Sequence, residues 1–495
     1  MFWRTDKKKD SIDLEKSVKR SSGSWDRLGS PSLRRDLLGF LFFVVAGILV
    51  ACGSGGGGGQ AGNNPNPTPQ TPDQAKAGAV KNIGGTSKSI VGALGKVAAN
   101  SSASGSVLKA LGMTPPDPGT DPTAQLGQQL DTAIPLILTN GTQTGNTVTF
   151  DPDEAALCGD PVLSQIQQAL DSLGTGKCVD FYSHVRAVLT PGSTQDDGTL
   201  DITYDGHVLV TIGYAPSTAF IQFDLAELKV IASALVAQGF IDTANLPPAG
   251  LPQTLEGIVR TTFTDLGPDH GEIALSIKQA INIVDAATNI NITLAAAENV
   301  VDLIADGPAG TGSASINLGA LAAGFPLDGS DLAKHPTKLN LNQLTLHAEL
   351  TPDKLIVTNL GIGGVPATLD ATESPDTDFK LSLDTFGVTI NGADSSITFD
   401  QAFHRHYDQK DTLGLVDGKT GTYDVLIPSA AKWTLLDSTT GSPLFKVSSG
   451  SVTSTSTGEF GSVNLTHTEN TCFTLAPNLG ASIVDTPCPS SGSKK

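Results

Sequence analysis

Aromatic and basic side chains are scarce in this sequence. Only 5% of the 495 residues are aromatic, and two of the 3 tryptophans, Trp3 and Trp25, fall within the first 51 residues. Carbohydrate sites stack sugars on Trp and Tyr, so this composition argues against sugar binding. The 31 Lys and Arg residues are outnumbered by 50 Asp and Glu, which gives a net charge of −19. We therefore expect no nucleic acid partner, because phosphates require clustered Lys and Arg.

Short catalytic motifs are missing as well. The sequence contains no Gly-x-Ser-x-Gly, no His-Glu-x-x-His and no Gly-x-x-x-x-Gly-Lys-Ser/Thr, the patterns of serine hydrolases, zinc peptidases and P-loop enzymes. His184 and the pair Asp269-His270 stand alone in the sequence. We expect no catalytic residue and no cofactor. An uncharacterised envelope enzyme stays as an alternative, because carboxylates that meet only in the folded chain leave no sequence signature.

The apolar run from Leu37 to Ala51 is shorter than the ~20 residues that a helix needs to cross a bilayer. It follows Arg34-Arg35 and ends at Cys52, as the apolar region of a signal peptide does. Its last four positions, Leu49-Val50-Ala51-Cys52, resemble the lipobox of bacterial lipoproteins. The alternatives are a plain membrane anchor, or an ordinary cleaved signal with a Cys after it by chance.

The lipoprotein resemblance implies a processing route and a location. In that family the cysteine is acylated, with palmitate for example, and the chain is cut just before it. Cys52 would then anchor the protein to the cell membrane or the outer membrane, facing the periplasm or the cell surface. Gly53 in the second position, where Asp would favour inner-membrane retention, favours the outer membrane. Leu33 to Leu38 also resembles a twin-arginine signal, so twin-arginine export, general secretory export and a start codon downstream of Met1 all stay open.

After the leader, residues 1–51, we expect a tether and two folded regions. Removing the leader takes away 10 basic and 6 acidic side chains, so the remaining chain has a net charge of −23. Residues 52–72 are rich in Gly and Pro and are expected to form a flexible tether that reaches on the order of 25 Å. Residues 73–375 are expected to form an α+β antiparallel-sheet domain that begins with a helical segment. Residues 376–495 are expected to be mostly β, with a boundary in the polar stretch 371–377.

The helical segment, Ala75 to Met113, has apolar residues at helical spacing, five lysines and several glycines. A basic helix beside a lipid anchor could lie on lipid headgroups. The glycines weaken an isolated helix, however, so a helical pair packed on the acidic body is the favoured interpretation.

Short alternating strands and tight turns predict an α+β to mostly β fold, with antiparallel sheets and a few packed helices. Asp205-Gly206 lies between two alternating runs and predicts a hairpin. Apolar spacing from Leu225 to Gly239 predicts a helix that glycine ends. Leu339 to Leu350 has the pattern of one long strand whose alternation slips at Gln343, which indicates a β-bulge. No repeat of fixed period is found.

Four cysteines follow Cys52: Cys158, Cys178, Cys472 and Cys488. An even number in an exported chain favours disulfides, with three possible connectivities. Proximity in sequence favours Cys158–Cys178 and Cys472–Cys488. A helix predicted from Asp160 to Gly174 lies between the first two, so the chain must turn back to close that bridge. Zinc is the alternative, but no pair has Cys-x-x-Cys spacing.

Three polar segments carry residues of the kind that bind metals. In an extended chain, His404, His406 and Asp408 lie on one face. The interleaved Arg405 repels a cation and no fourth ligand is marked, so solvated polar residues near a strand end are the favoured interpretation. Asp196 to Asp201 and Asp417 to Asp424 offer the oxygen ligands that calcium prefers. Neither has the spacing of a calcium loop, and Asp-Gly is ordinary turn chemistry, so we predict no metal site.

Two non-catalytic functions are compatible with these features; we predict the first, and the second is its alternative. The first is a lipid-anchored cell-envelope protein that displays a β-rich structural or interaction domain to an envelope protein partner, with the membrane contacted through Cys52. The second is a carrier or binding protein for a lipid or other apolar ligand, held between a curved sheet and helices. The carrier requires an apolar cavity of several hundred Å³, on the order of known ligand sites, and the display domain does not.

Overall fold

Short helices precede and interrupt the first strands. The computed structural model describes residues 132–163, 167–168, 176–194, 196–241, 251–285, 290–326, 336–359, 367–373, 377–411, 420–437, 444–460, 464–475 and 483–489. The helices with described bounds are α1 (132–137), α2 (Glu154–Gly159), α3 (Lys177–Ser183) and α4 (Leu225–Ala237). Asp224 caps α4 by accepting from two backbone N–H groups, and Gly239, at φ 74°, follows the helix. The helix predicted at Leu225 is therefore confirmed, with the polar N-cap and the left-handed glycine that helix ends favour.

Several predicted segments lie outside the described residues. These are the leader with Cys52, the tether 52–72, the helical segment 75–113 and most of the helix predicted between Asp160 and Gly174. Within the part of the chain that the structure describes, no helix is long and apolar enough to span a membrane.

The four cysteines form the two disulfides that the spacing favours. Cys158 of α2 is bonded to Cys178 of α3, with Cα atoms 5.9 Å apart. Cys472 is bonded to Cys488, with Cα atoms 5.1 Å apart. The first bridge joins two short helices that contact each other, so the chain does turn back between them as the pairing requires.

The first eight strands form one antiparallel sheet, the trunk, in which each strand pairs with the next. They are β1 (Asn140–Thr144), β2 (Thr147–Asp151), β3 (Val185–Pro191), β4 (Gly198–Tyr204), β5 (His207–Ala215), β6 (Thr218–Asp224), β7 (Thr254–Gly267) and β8 (His270–Asp285). Asp205 and Gly206, at φ 51° and 83°, form the predicted β4–β5 turn, as a two-residue hairpin of this type requires. Helix α4 packs on β5, β6 and β7 and buries Leu228, Ile231 and Leu235.

The trunk divides at β8 into two sheets. The first half of β8 pairs with β10 and its second half pairs with β9. Sheet I contains, in spatial order, β10 (Ala297–Asp306), β11 (Thr311–Leu318), β14 (Leu344–Leu350), β15 (Lys354–Asn359), β18 (Phe386–Asn391), β19 (Ser396–Phe399), β22 (Lys432–Asp437), β23 (Leu444–Ser449), β26 (Cys472–Leu475) and β27 (Ile483–Asp485). Sheet II contains β9 (Ile290–Leu294), β12 (Leu321–Pro326), β13 (Pro336–Leu341), β16 (Ala367–Glu373), β17 (Thr377–Leu383), β20 (Phe403–Asp411), β21 (Thr420–Ile427), β24 (Ser451–Ser456) and β25 (Asn464–Thr468).

From β10 onwards the chain adds hairpins to the two sheets in alternation. β10–β11 belongs to sheet I, β12–β13 to sheet II and β14–β15 to sheet I, and the alternation continues to β26–β27. These hairpins begin at residues 297, 321, 344, 367, 386, 403, 432, 451 and 472, at unequal intervals. The structural repeat therefore exists without a sequence repeat of fixed period.

The β-bulge predicted at Gln343 is wrong. Strand β13 ends at Leu341 in sheet II, and β14 begins at Leu344 in sheet I. The slip in alternation marks the point where the chain crosses from one sheet to the other. Gln343, 8% exposed, lies in that crossing.

The apolar faces of the two sheets meet in a core at the C-terminal end of the sandwich. This core joins Trp433, Phe445 and Phe473 of sheet I to Tyr407 and Val425 of sheet II. Most described residues lie in antiparallel strands, so the predicted fold class is confirmed. The boundary predicted within 371–377 falls between β16 and β17, which pair with each other.

Candidate functional site

Apolar side chains on the inner face of sheet I are fully buried at the C-terminal end of the sandwich and only half-buried at several positions along its middle. Trp433 is 4% exposed, and Phe445 and Val447 are 0% exposed. Strand pairing places Phe399 of this core in one row with five residues further along sheet I, namely Leu303, Ala314, Ala348, Val357 and Val388. All five are only half-buried. Apolar side chains on a core face that stay partly exposed offer surface to a ligand.

Sheet II presents a matching apolar row. Backbone register aligns Ile281, Leu294, Leu321 and Leu341 with Tyr407 and Tyr423, by way of strands β16 and β17. Tyr407 and Tyr423 are buried members of the sandwich core, so this row lies on the inner face of sheet II. We call the space between these two rows, from β9 and β10 to β20, the slot.

A charged side chain stands at the end of the slot. Arg405 shares the inner face of β20 with Phe403 and Tyr407, because alternate residues of a strand point the same way. Its Nε and Nη2 atoms are buried, and neither has a hydrogen-bond partner among the described residues. The guanidinium carbon lies 5.7 Å from the centre of the Tyr423 ring. Burial lowers the pKa of Arg405, yet a guanidinium stays protonated in proteins, so a positive charge with two buried N–H groups, unpaired among the described residues, lies on the inner face.

The opposite, outer face of β20 carries a cluster of histidines and carboxylates. His404 Nδ1 lies 3.0 Å from Asp384 Oδ2, and its Nε2 lies 3.3 Å from Asp424 Oδ1. His406 Nδ1 lies 2.7 Å from the same Asp424 oxygen. The register of β20 with β21 sets His406 directly opposite Asp424. Asp384, in the crossing from sheet II to sheet I, is thereby tied to β20 and β21.

This geometry favours the imidazolium form of His404. Both ring nitrogens face carboxylate oxygens, which accept and do not donate, so both must carry hydrogen. Partial burial lowers the pKa of His404, but hydrogen bonds and charge from Asp384 and Asp424 outweigh it and the net pKa is raised. The cluster therefore works as a proton-dependent clasp that ties the crossing at Asp384 to strands β20 and β21 of sheet II.

The three residues considered for metal binding were His404, His406 and Asp408. His404 and His406 share a face as predicted, but the carboxylates that hold them are Asp384 and Asp424. Asp408 lies on the same face and pairs in register with Lys380 and Thr422. Among the described residues, no group of three or more His, Cys, Asp or Glu is arranged to hold a metal ion.

The Asp-rich turn at 196–201 is held by its own hydrogen bonds. Asp197 accepts from the backbone N–H and hydroxyl groups of both Ser193 and Thr194. Slight burial raises the pKa of Asp197, but these bonds outweigh it and the net pKa is lowered. Residues 412–419 lie outside the described chain, so the second Asp-rich segment is seen only from Thr420.

On the outer face of sheet I, Ser315, His347 and Glu349 are linked by two successive hydrogen-bond contacts. His347 Nδ1 lies 2.8 Å from Ser315 Oγ, and its Nε2 lies 3.2 Å from Glu349 Oε1. A serine nucleophile also needs N–H donors for the oxyanion. Ser315 sits within the β10–β11–β14 ladder, where the backbone groups pair with neighbouring strands. This arrangement binds the strands together, and among the described residues it offers no oxyanion hole at Ser315.

The two histidines that stand alone in the sequence, His184 and His270, lie directly before β3 and at the start of β8. His184 Nδ1 lies 2.7 Å from Asp205 Oδ1 and so braces the β4–β5 turn. His270 begins β8, directly after Asp269, which has φ 58° in the β7–β8 turn.

Sequence reasoning assigned Arg405 only the role of repelling a cation between two histidines. The signal for its inward position was present, because Phe403, Arg405 and Tyr407 alternate with His404 and His406. Comparison of the chain with protein-family models, curated proteins and solved structures gave no match.

Proposed function

We propose that this protein is an exported, lipid-anchored envelope protein that holds an apolar ligand in the slot between sheets I and II. The observation that carries the proposal is the half-burial of the inner row from Leu303 to Val388, which contrasts with complete burial around Trp433. Two sheets of a sandwich pack about 10 Å apart and bury their inner faces. Inner side chains that stay accessible are apolar surface that a chain-like apolar ligand would cover.

The lipid anchor is proposed from the leader, and the two disulfides support export from the cytosol. Acylation of Cys52 would hold the protein at a membrane, since each buried CH₂ contributes ~0.8 kcal/mol. Disulfides persist in oxidising compartments outside the cytosol, which fits export. The body, with its net charge of −23, is repelled by anionic headgroups, so the tether keeps it clear of the bilayer.

The experiment compares a variant that fills the slot with a matched variant on the outer face. Ala314 and Ser313 are neighbours in β11; Ala314 is in the inner row and Ser313 pairs on the other face with Ile304 and Glu349. The full-length protein, Ala314→Phe and Ser313→Phe are purified from membranes, and copurifying lipids are extracted and quantified by mass spectrometry, with circular dichroism to check folding.

We expect about one apolar ligand per chain in the wild type and in Ser313→Phe, and a several-fold loss in Ala314→Phe because the ring occupies the slot. Ligand-free wild-type protein, or equal retention in both variants, would contradict the proposal.

A second candidate is the display of a protein-binding surface to an envelope partner. The observation that favours it is β1, whose five residues are all exposed and which, among the described strands, pairs only with β2. An exposed edge strand can accept a strand from another protein. Capture of a defined envelope protein by both Phe variants, together with no bound lipid, would favour this candidate.

A further inference from the structure

We propose that Arg405 binds the carboxylate of a long-chain carboxylic acid whose alkyl chain lies in the slot. This inference rests on the proposed function, because the slot supplies the site for the chain. It adds the chemical class of the ligand and the residue that recognises it.

The guanidinium of Arg405 indicates the charge and the shape of the ligand's head group. Nε–H and Nη2–H form one edge of the guanidinium, and this edge matches the two oxygens of a carboxylate. These are the two Arg405 nitrogens that are buried without a hydrogen-bond partner among the described residues. An unpaired buried charge is costly, so the site favours a ligand that brings one negative charge.

The rest of the ligand follows from the surroundings of Arg405. Its neighbours in register are Leu383 and Val425, and the Tyr423 ring lies 5.7 Å from the guanidinium carbon. The apolar rows of both sheets run from here toward the trunk. One positive charge at the end of an apolar slot matches a singly charged head on an alkyl chain. A phospholipid headgroup would bring further polar groups, for which the side chains of Leu383 and Val425, the neighbours of Arg405 in register, offer no donor.

The test uses two ligands that differ only in the head. The full-length protein is released from dodecyl maltoside micelles in a native mass spectrometer and titrated with palmitate or with hexadecanol. Arg405→Met removes the charge and keeps a side chain of similar length. Arg405→Lys keeps the charge but loses the two parallel N–H donors that bind a carboxylate in a bidentate manner. Arg186→Met, at an exposed ion pair with Asp151, is the matched control.

We expect Arg405→Met to weaken palmitate binding about 10- to 100-fold, the range for a charge-assisted pair, and to change hexadecanol binding less than about 2-fold. Arg405→Lys should fall between wild type and Arg405→Met, and Arg186→Met should bind as wild type. Without ligand, Arg405→Met should melt no lower than wild type, because the substitution removes an unpaired buried charge.

The experiment distinguishes a failure of the slot as a ligand site from a failure of Arg405 as the residue that binds the carboxylate. Equal palmitate binding by wild type and Arg405→Met, with hexadecanol also bound, would overturn the role of Arg405 and leave the slot in place. No binding of either ligand to any variant would overturn both. Phosphatidic acid bound through Arg405 in preference to palmitate would overturn the carboxylate assignment. A lower melting temperature of ligand-free Arg405→Met would show that Arg405 is paired within the protein, and would also contradict the inference.

Discussion

The clasp at His404 predicts a stability that depends on pH in a definite direction. The net pKa of His404 is raised in the folded chain by Asp384 and Asp424, and is about 6.5 in the unfolded chain. The charged histidine therefore stabilises the fold fully below about pH 6.5, and this contribution is lost as the pH rises through the higher folded-state pKa. His404→Gln, which does not titrate, should lack that dependence.

The magnitude follows from the two contacts of His404. Buried charge-assisted hydrogen bonds contribute about 1.5–3 kcal/mol each. The side chains here are 34% exposed for His404, 41% for Asp384 and 25% for Asp424, so solvent screens both bonds. We expect a total of about 1 kcal/mol. His404→Gln should thus cost about 1 kcal/mol at about pH 6 and much less at about pH 9.

Urea unfolding of the mature chain measures this directly. Trp433 is the one tryptophan beyond residue 51 and lies in the sandwich core, so its fluorescence reports the unfolding of the two sheets. His406→Gln is the matched control, because its parent side chain contacts Asp424 through one nitrogen only and its replacement leaves both contacts of His404 in place; the part of the pH dependence that comes from His404 should persist in it. An equal cost of His404→Gln at both pH values would refute the reasoning.

Three further predictions concern the bridges, the core and the anchor. Replacing Cys158 and Cys178 by Ala opens a loop with a sequence separation of 20 and should destabilise the fold by about 3 kcal/mol in urea unfolding; an unchanged midpoint would contradict this. Trp433→Ala should cost about 3–5 kcal/mol by circular dichroism. Trp433→Phe should cost much less, since the buried Nε1 has no hydrogen-bond partner among the described residues, and equal costs would show that the indole N–H matters. Cys52→Ser should abolish incorporation of a labelled fatty acid, and labelling at the wild-type level would refute the lipobox interpretation.

Local features of the fold could be predicted from the sequence. The Asp205-Gly206 turn and the end of α4 at Gly239 each depend on a few adjacent residues and on the backbone freedom of glycine. The disulfides followed from proximity in the chain. These signals act over short distances, so no knowledge of the rest of the fold was needed.

The division into two sheets could not be predicted, because it depends on pairing between strands that are distant in sequence. Strand β11 pairs with β14 across the whole of β12–β13. A strand that crosses between sheets and a strand with a bulge both show a slip in alternation, which is why Gln343 was misinterpreted. The carboxylates of the clasp are equally non-local, since Asp384 and Asp424 each lie 20 residues from His404.

The central claim, that the slot holds an apolar ligand, is tested most directly by photo-crosslinking inside and outside it. Val357 and Ile356 are adjacent in β15, both half-buried, and lie opposite Val388 on the inner face and Thr389 on the outer face. The photoreactive residue benzoyl-phenylalanine is placed at either position in the full-length protein, which is irradiated in the host envelope. Intact-mass measurement should find adducts of lipid mass at position 357 and none at position 356. Equal adducts at both positions, or only protein adducts at 357, would contradict the account.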